Sequence, residues 1–413
     1  MKIAVIGGGI SGMTAAHLLA RRHQVHLFEV QGRLGGHTHT HDIELDGKSY
    51  VIDSGFIVYN DRTYPNFLRL LDQLGISGRK SHMSFSVKCE RTGLEYAGSS
   101  LNSLFAQRSN LLRIGYLNML REILRFNRHL RSRIGALEAW ESLGDYLDRN
   151  GYSHRFVDHY IVPMAAAIWS ATHARVLDFP LEFFARFFLN HGLLDLNDRP
   201  QWYVIEGGSS SYIAPLTAPY RDNIHRNARI VSIARDTDEI VLRFAGGHSQ
   251  RFDHVVLACH SDQALALLES PTDAERNILG AIPYQANSAV LHTDTALLPK
   301  RRSAWAAWNY HVTGGNQSAA LTYNMNLLQG IASPHTFCVT LNRDDAIDPT
   351  KVLRHMTYDH PVFTREGERA KAAYGDINHR NRTSYCGAYW GNGFHEDGVN
   401  SALAVAEPFG IEL

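Results

Sequence analysis

The sequence predicts an α/β fold, and three observations predict it. Near the N-terminus a buried strand, Lys2–Ile6, runs straight into a glycine-rich turn, Gly7-Gly8-Gly9-Ile10-Ser11-Gly12. A second strand over 24–30 follows an intervening helix and carries an acid, Glu29, near its end. Close to the other end of the chain a short strand at Tyr385 enters another glycine-rich turn and then a helix. Together they describe a Rossmann-like, dinucleotide-binding unit built from both ends of the chain.

Composition supports a folded protein with more than one domain. The chain has 413 residues, and at about 150 residues per domain this suggests two or three. Lys plus Arg and Asp plus Glu are both 41, so the formal charge is zero and no basic excess points to nucleic acid. Cys89, Cys259, Cys338 and Cys386 have no metal-knuckle spacing, and a reducing compartment is the simpler reading. The opening Met1–Ile6 reads as strand text rather than a signal peptide, and a cytoplasmic location is expected. The longest apolar stretches, such as 160–171, fall short of the ~20 residues that a spanning helix needs.

Each part of the N-terminal motif has a physical task. Gly7 permits the tight turn, Gly9 lets backbone approach a pyrophosphate, and Gly12 lets helix and strand pack closely. A helix over 13–22 is expected, with free N–H groups around Ile10 and Ser11 offered to phosphate. Glu29 lies near the spacing, about 20 residues on, of an acid that holds ribose hydroxyls. Beyond it, Asp46-Gly47 reads as the turn of a hairpin formed by 41–45 and 48–53.

The segment after the second strand, Gly32-Arg33-Leu34-Gly35-Gly36-His37-Thr38, resembles the flavin-containing amine oxidase and phytoene desaturase superfamily. Asp53-Ser54-Gly55 is similar to that family's step beside the flavin. The strand-turn-strand over 227–259, turning at Gly246-Gly247, is similar to the family's pattern in which a valine backbone, here Val231, meets the adenine. The run Gly391–Ala402 is similar to its C-terminal turn and helix, with the helix expected over 399–407.

The resemblance implies an FAD-binding domain of the amine oxidase type and non-covalent FAD. It places Gly7, Gly9, Ile10, Ser11, Gly12, Glu29, Arg33, Gly35, Gly36, His37, Gly55, Val231, Gly387, Glu396 and Val399 at the cofactor. His395 is the candidate catalytic residue, as a donor to the flavin or to a substrate oxygen. Neither Cys259 nor Cys386 matches a covalent flavin attachment. The FAD-binding domain is expected from 1–80, 200–265 and 380–413, and a helical and sheet cap from 81–199 and 266–379.

A closer resemblance is to a group of dinucleotide-binding oxidoreductases encoded beside cyclopropane-fatty-acyl-phospholipid synthases. Tyr64-Pro65-Asn66-Phe67, Ala167-Ile168-Trp169-Ser170 and Trp305–Tyr310 carry it. It implies an FAD-dependent oxidoreductase that dehydrogenates or desaturates a fatty-acyl or other lipid-like substrate, with a lipid methyltransferase as a partner. An amine or polyamine oxidase is the alternative enzyme, and a flavin-binding accessory protein is the alternative of another class.

Other features stay open between two readings. The span 111–134 reads as one helix with Leu117, Leu120, Ile123, Leu124 and Leu130 at helical spacing and many arginines. Its apolar stripe either packs on the cap or lies on an anionic membrane. The aromatic run 181–189 is either core or the lining of an acyl tunnel. Trp169, Trp305, Trp308 and Tyr323 are likewise core or substrate lining. His37, His39 and His41 alternate, as on one strand face, but no metal is expected there.

Overall fold

The computed structural model describes residues 1–133, 135, 141–195, 198–313 and 319–413. Its centre is a five-stranded parallel sheet in the order Ile224–His225, Gln24–Phe28, Lys2–Ile6, His254–Leu257, Thr383–Tyr385. Val5 sits between Leu27 and Val256 in register. Ile3, Ala4 and Val5 are fully buried, as expected of a parallel strand covered on both faces. Helix Ile10–Leu19 covers one face and packs against helix His395–Ala406.

A seven-stranded sheet forms the second layer, drawing all its strands from 85–97 and 284–361. At its edge Val352–Pro361 pairs antiparallel with Tyr284–His292. Trp308–Val312 pairs in parallel with Phe85–Cys89, which joins the two cap segments. Helices Ile114–Arg133, Val162–Trp169 and Leu181–Asn190 enclose a core containing Phe126, Phe156, Phe184 and Phe188. Burying each such side chain contributes roughly 1.5–3 kcal/mol.

Several elements differ from the sequence reading. The first helix starts at Ile10 rather than 13, because Gly9 already takes the cap position. The span 111–134 is a short 3₁₀ turn, Arg108–Leu112, followed by helix Ile114–Arg133; Ile134 lies outside the described residues. Its buried face is Tyr116, Met119, Glu122, Phe126, Asn127 and Leu130, while Leu117 and Leu124 face outward. The expected stripe was therefore rotated by about one residue. The aromatic run is core: Phe184, Phe187 and Phe188 pack around Trp169 and Phe126.

The hairpin is as read, with one extra residue: Thr40–Leu45 pairs with Lys48–Asp53 through Asp46 and Gly47, both at positive φ. The return strand after Gly246-Gly247 is Ser249–Phe252, not 253–259. His254–Leu257 leaves that small antiparallel sheet and joins the parallel one, because its four residues are all buried. The last helix begins at His395, four residues before the expected start.

Candidate functional site

Three glycine-bearing segments converge at the C-terminal end of the parallel sheet. Gly7 adopts φ +111°, which turns the chain away from strand Lys2–Ile6. A Cβ on Gly12 would stand 2.0 Å from the Gly7 carbonyl oxygen, so only glycine lets helix Ile10–Leu19 come this close. A Cβ on Gly9, in contrast, would meet nothing within 4 Å. The loop thus faces open space exactly where its helix offers unpaired first-turn N–H groups at Ile10 and Ser11.

The second segment is the Arg33–Thr38 loop. Gly35 N–H donates to the Gly8 carbonyl at 2.8 Å, and Gly36 lies against Gly9. Arg33 spans the loop, donating to the Gly36 and Thr38 carbonyls at 2.9 and 3.1 Å. The third segment is the start of helix His395–Ala406. A Cβ on Gly398 would stand 2.8 Å from Ile10 and 2.9 Å from Ser11 Oγ, a close approach that the motif reading missed.

Glu29 is buried at the end of the second strand. Its carboxylate accepts from Gly8 N–H at 2.7 Å and Gln31 N–H at 2.8 Å. Each oxygen retains lone-pair capacity for a ribose hydroxyl. His37 packs against Tyr358 and His360, with ring centroids 5.2 and 5.4 Å away. Its Nε2 is buried without a partner among the described residues, and burial holds it well below the usual imidazole range, hence neutral. Gly55 packs on the His37 carbonyl. Open space, free N–H groups and an orphaned ring nitrogen fit a bound dinucleotide.

Other predicted residues contribute backbone or packing rather than side-chain contacts. Val231 is 49% exposed at a bulge of the small sheet, leaving its backbone as the group on offer. Val399 is fully buried in the core beneath the last helix. Gly387 N–H donates to Ser401 Oγ at 2.9 Å. Glu396 turns away: its carboxylate caps helix Pro65–Gln73, accepting from Asn66 and Phe67 N–H at 3.0 and 2.8 Å. Its side chain is therefore occupied with that helix, leaving its backbone as the group on offer at the helix start.

His395, the candidate catalytic residue, has the contacts of a positioning residue. It opens the last helix, stacks on Phe56 at 3.5 Å between centroids, and places Nε2 3.0 Å from Thr38 Oγ1 and 3.3 Å from the Tyr212 hydroxyl. Burial lowers its pKa to about 3. A neutral ring enclosed by these partners ties the last helix to the Arg33–Thr38 loop.

The expected histidine row divides. His37 precedes the strand; His39 Nδ1 lies 3.2 Å from the Tyr358 hydroxyl, and His41 Nε2 lies 2.7 Å from Ser54 Oγ. Beside them is a network that the sequence reading did not find. Asp53 accepts from Ser209 N–H and Oγ, Thr40 Oγ1 and Gln329 Nε2 at 2.6–3.0 Å. It joins parts of the chain far apart in sequence, so no local spacing signals it.

A small, partly enclosed pocket lies beside His360. It is lined by Trp169, Ser170, Arg175, Phe179, Gln285 and Phe363, among others. Ser170 ends helix Val162–Trp169 in the left-handed region, φ +53°, and its Oγ lies 3.1 Å from His360 Nδ1. His360 in turn flanks His37, so the pocket adjoins the glycine cradle. Trp169 lines it, with its indole N–H unpartnered among the described residues. Trp308 and Tyr323 pack edge-to-face at 5.2 Å on the neighbouring sheet. Trp305 is not in this group: its Nε1 donates to the Pro299 carbonyl and Arg302 covers its ring.

Comparison with known proteins decides the family. Residues 10–341 match the flavin containing amine oxidoreductase family. The chain belongs to that family. This flavoenzyme is an FAD-dependent oxidoreductase. A search of curated proteins finds no match. Among solved structures, cyclohexylamine oxidase from Brevibacterium oxydans IH-35A aligns at TM-score 0.70 and 15% identity over 99% of both chains. A cofactor-binding variant of putrescine oxidase aligns at 0.72 and 14% over 98% of both. A fatty acid isomerase from P. acnes that produces CLA aligns at 0.69 and 15% over 98% of both. At these identities the likeness is one of fold.

The flavoenzyme's thiols are suited to non-covalent FAD. Cys259 and Cys386 lie near the cradle, but burial pushes the Cys259 thiol up to about 12 and the Cys386 thiol higher still, which keeps both protonated and unreactive. Acid precipitation is therefore expected to release all flavin absorbance into the supernatant. Absorbance retained in the pellet would show a covalent bond.

Proposed function

We propose that this flavoenzyme dehydrogenates or desaturates a fatty-acyl, lipid-like substrate held against the aromatic residues beside His360. FAD, when bound, would take a hydride from one substrate C–H bond, while the adjoining C–H would release its proton to solvent, so that two hydrogens leave the chain. The chain's own contribution is to bind and orient the acyl chain and to exclude water from the reacting carbon.

One observation carries the reading: among the described residues, the pocket walls are aromatic, aliphatic or neutral polar, with Arg175 as the charged residue and no carboxylate. An ammonium substrate would have to shed its hydration without a counter-charge, which is costly. An acyl chain would find Trp169, Phe179 and Phe363, and an acidic headgroup would find the guanidinium. The motifs around Trp169 and Trp305, similar to those of proteins encoded beside lipid-modifying synthases, point to the same substrate class.

The test is anaerobic reduction of the bound flavin. Oleate and oleoyl phospholipid are expected to bleach its visible bands, with product mass lower by two hydrogens; putrescine, spermine and cyclohexylamine are not. Bleaching by an amine and by no lipid would replace this reading with amine oxidation. Bleaching by neither, with a lipid methyltransferase recovered by pull-down, would favour the accessory role.

A further inference from the structure

We infer that the segment Leu101–Leu124 is a membrane-docking surface that takes an anionic lipid bilayer. The inference is independent of the substrate and would stand for any substrate of the flavoenzyme.

Exposed apolar side chains are concentrated there. Of the eleven large hydrophobic residues exposed among the described residues, six are Leu101, Leu111, Leu112, Ile114, Leu117 and Leu124. Leu112 and Ile114 are 89% and 83% exposed. The fold presses these positions into one region. Tyr116, fully buried, donates from its hydroxyl to the Leu104 carbonyl at 2.6 Å and packs edge-to-face on Phe105. That contact ties the short helix Leu101–Leu104 to the start of helix Ile114–Arg133, with the Arg108–Leu112 turn between them.

The charge around the apolar group has one sign. Arg108, Arg113 and Arg121 are exposed on the same segment, and Arg128 follows one helical turn after Leu124. Arg113, Arg121 and Arg128 make no ion pair among the described residues. The single acid between 101 and 133, Glu122, is buried and accepts from Ser153 N–H and Oγ at 2.9 and 2.5 Å. Protruding leucines ringed by unpaired arginines suit an interface where the leucines enter the acyl boundary and the arginines meet lipid phosphates. A second copy of the chain would set these arginines against one another, which disfavours self-association through this face. No described helix is long and apolar enough to cross a membrane, so contact would be from one side.

Vesicle flotation of the FAD-loaded protein tests this. Phosphatidylcholine vesicles with about 30% phosphatidylglycerol are expected to carry the protein at roughly 0.1 M salt, and pure phosphatidylcholine vesicles at least tenfold less. L112D/I114D should lose about tenfold or more of the binding, and R113E/R121E about fivefold or more for each arginine. These side chains are exposed, so flavin absorbance and thermal unfolding should stay at wild-type values. Equal recovery with and without anionic lipid, or full binding by L112D/I114D, would overturn the proposal. So would a wild-type dimer in sedimentation that L112D/I114D dissolves while neither protein floats.

Discussion

Gly9→Val is expected to fold normally and to purify without flavin. A Cβ at this position would meet nothing of the described residues within 4 Å, and the residue already has extended backbone angles, φ −77° and ψ 179°, that valine tolerates. Folding should therefore register little change. The added isopropyl group would instead fill the space in front of the first-turn N–H groups, where the pyrophosphate must come close. A loss of about 100-fold in FAD affinity, roughly 2.7 kcal/mol, is a conservative expectation. Gly12→Val should behave in the opposite way. Its Cβ would stand 2.0 Å from the Gly7 carbonyl oxygen, so helix Ile10–Leu19 would have to move off the sheet. Overpacking of that kind costs about 1–3 kcal/mol or more, and the variant should unfold at lower temperature even without FAD. Thermal unfolding of the apoproteins, paired with flavin absorbance of the purified forms, separates the two. A Gly9→Val protein carrying a full complement of flavin would move the cofactor away from this loop.

The contrast between those two glycines shows what kind of information was legible in the sequence. Strand, turn, helix and acid follow one another over Lys2–Glu29, so the contacts within this first part of the cradle are local and their spacing is visible. The same holds for the hairpin at Asp46-Gly47. Where the deciding contact is distant, spacing misleads. The inward face of helix Ile114–Arg133 is chosen by Phe156, Phe184 and Tyr152, which lie in later segments, and that choice turns Leu117 and Leu124 outward. His395 sits in the expected turn, yet Thr38, Phe56 and Tyr212 surround it and convert a reactive-looking residue into a neutral anchor. His360 carried no signal at all. It reaches the site because Val352–Pro361 pairs with Tyr284–His292 in a register that no short motif encodes.

A second large effect is expected from Glu275→Ala, far in sequence from the cradle but joined to its last strand. Glu275 accepts two hydrogen bonds from Arg235, at 2.5 and 2.8 Å, and one from the Tyr385 hydroxyl at 2.6 Å. Both side chains of the ion pair are buried, 2% and 8% exposed. Removing the acid leaves the Arg235 charge buried without its partner, which costs about 3–5 kcal/mol. At roughly 2–4 °C per kcal/mol, Tm should fall on the order of 10 °C. Tyr385 ends the strand that delivers Cys386 and Gly387 to the C-terminal turn, so FAD affinity should weaken as well. The effect should also depend on pH in a defined direction. Burial alone would raise the Glu275 pKa, but the bonds from Arg235, Tyr385 and the Thr272 backbone outweigh it and hold the carboxyl at about 2. A carboxyl held below its unfolded value stabilises the fold fully above that value, near 4.5, and loses the contribution as pH falls toward about 2. The stability gap between wild type and Glu275→Ala should thus be widest near neutral pH and narrow progressively below about 4.5. Urea unfolding at pH 7 and at pH 3 measures the gap directly, and an equal gap at the two values would show that the ion pair does not hold the strand in place.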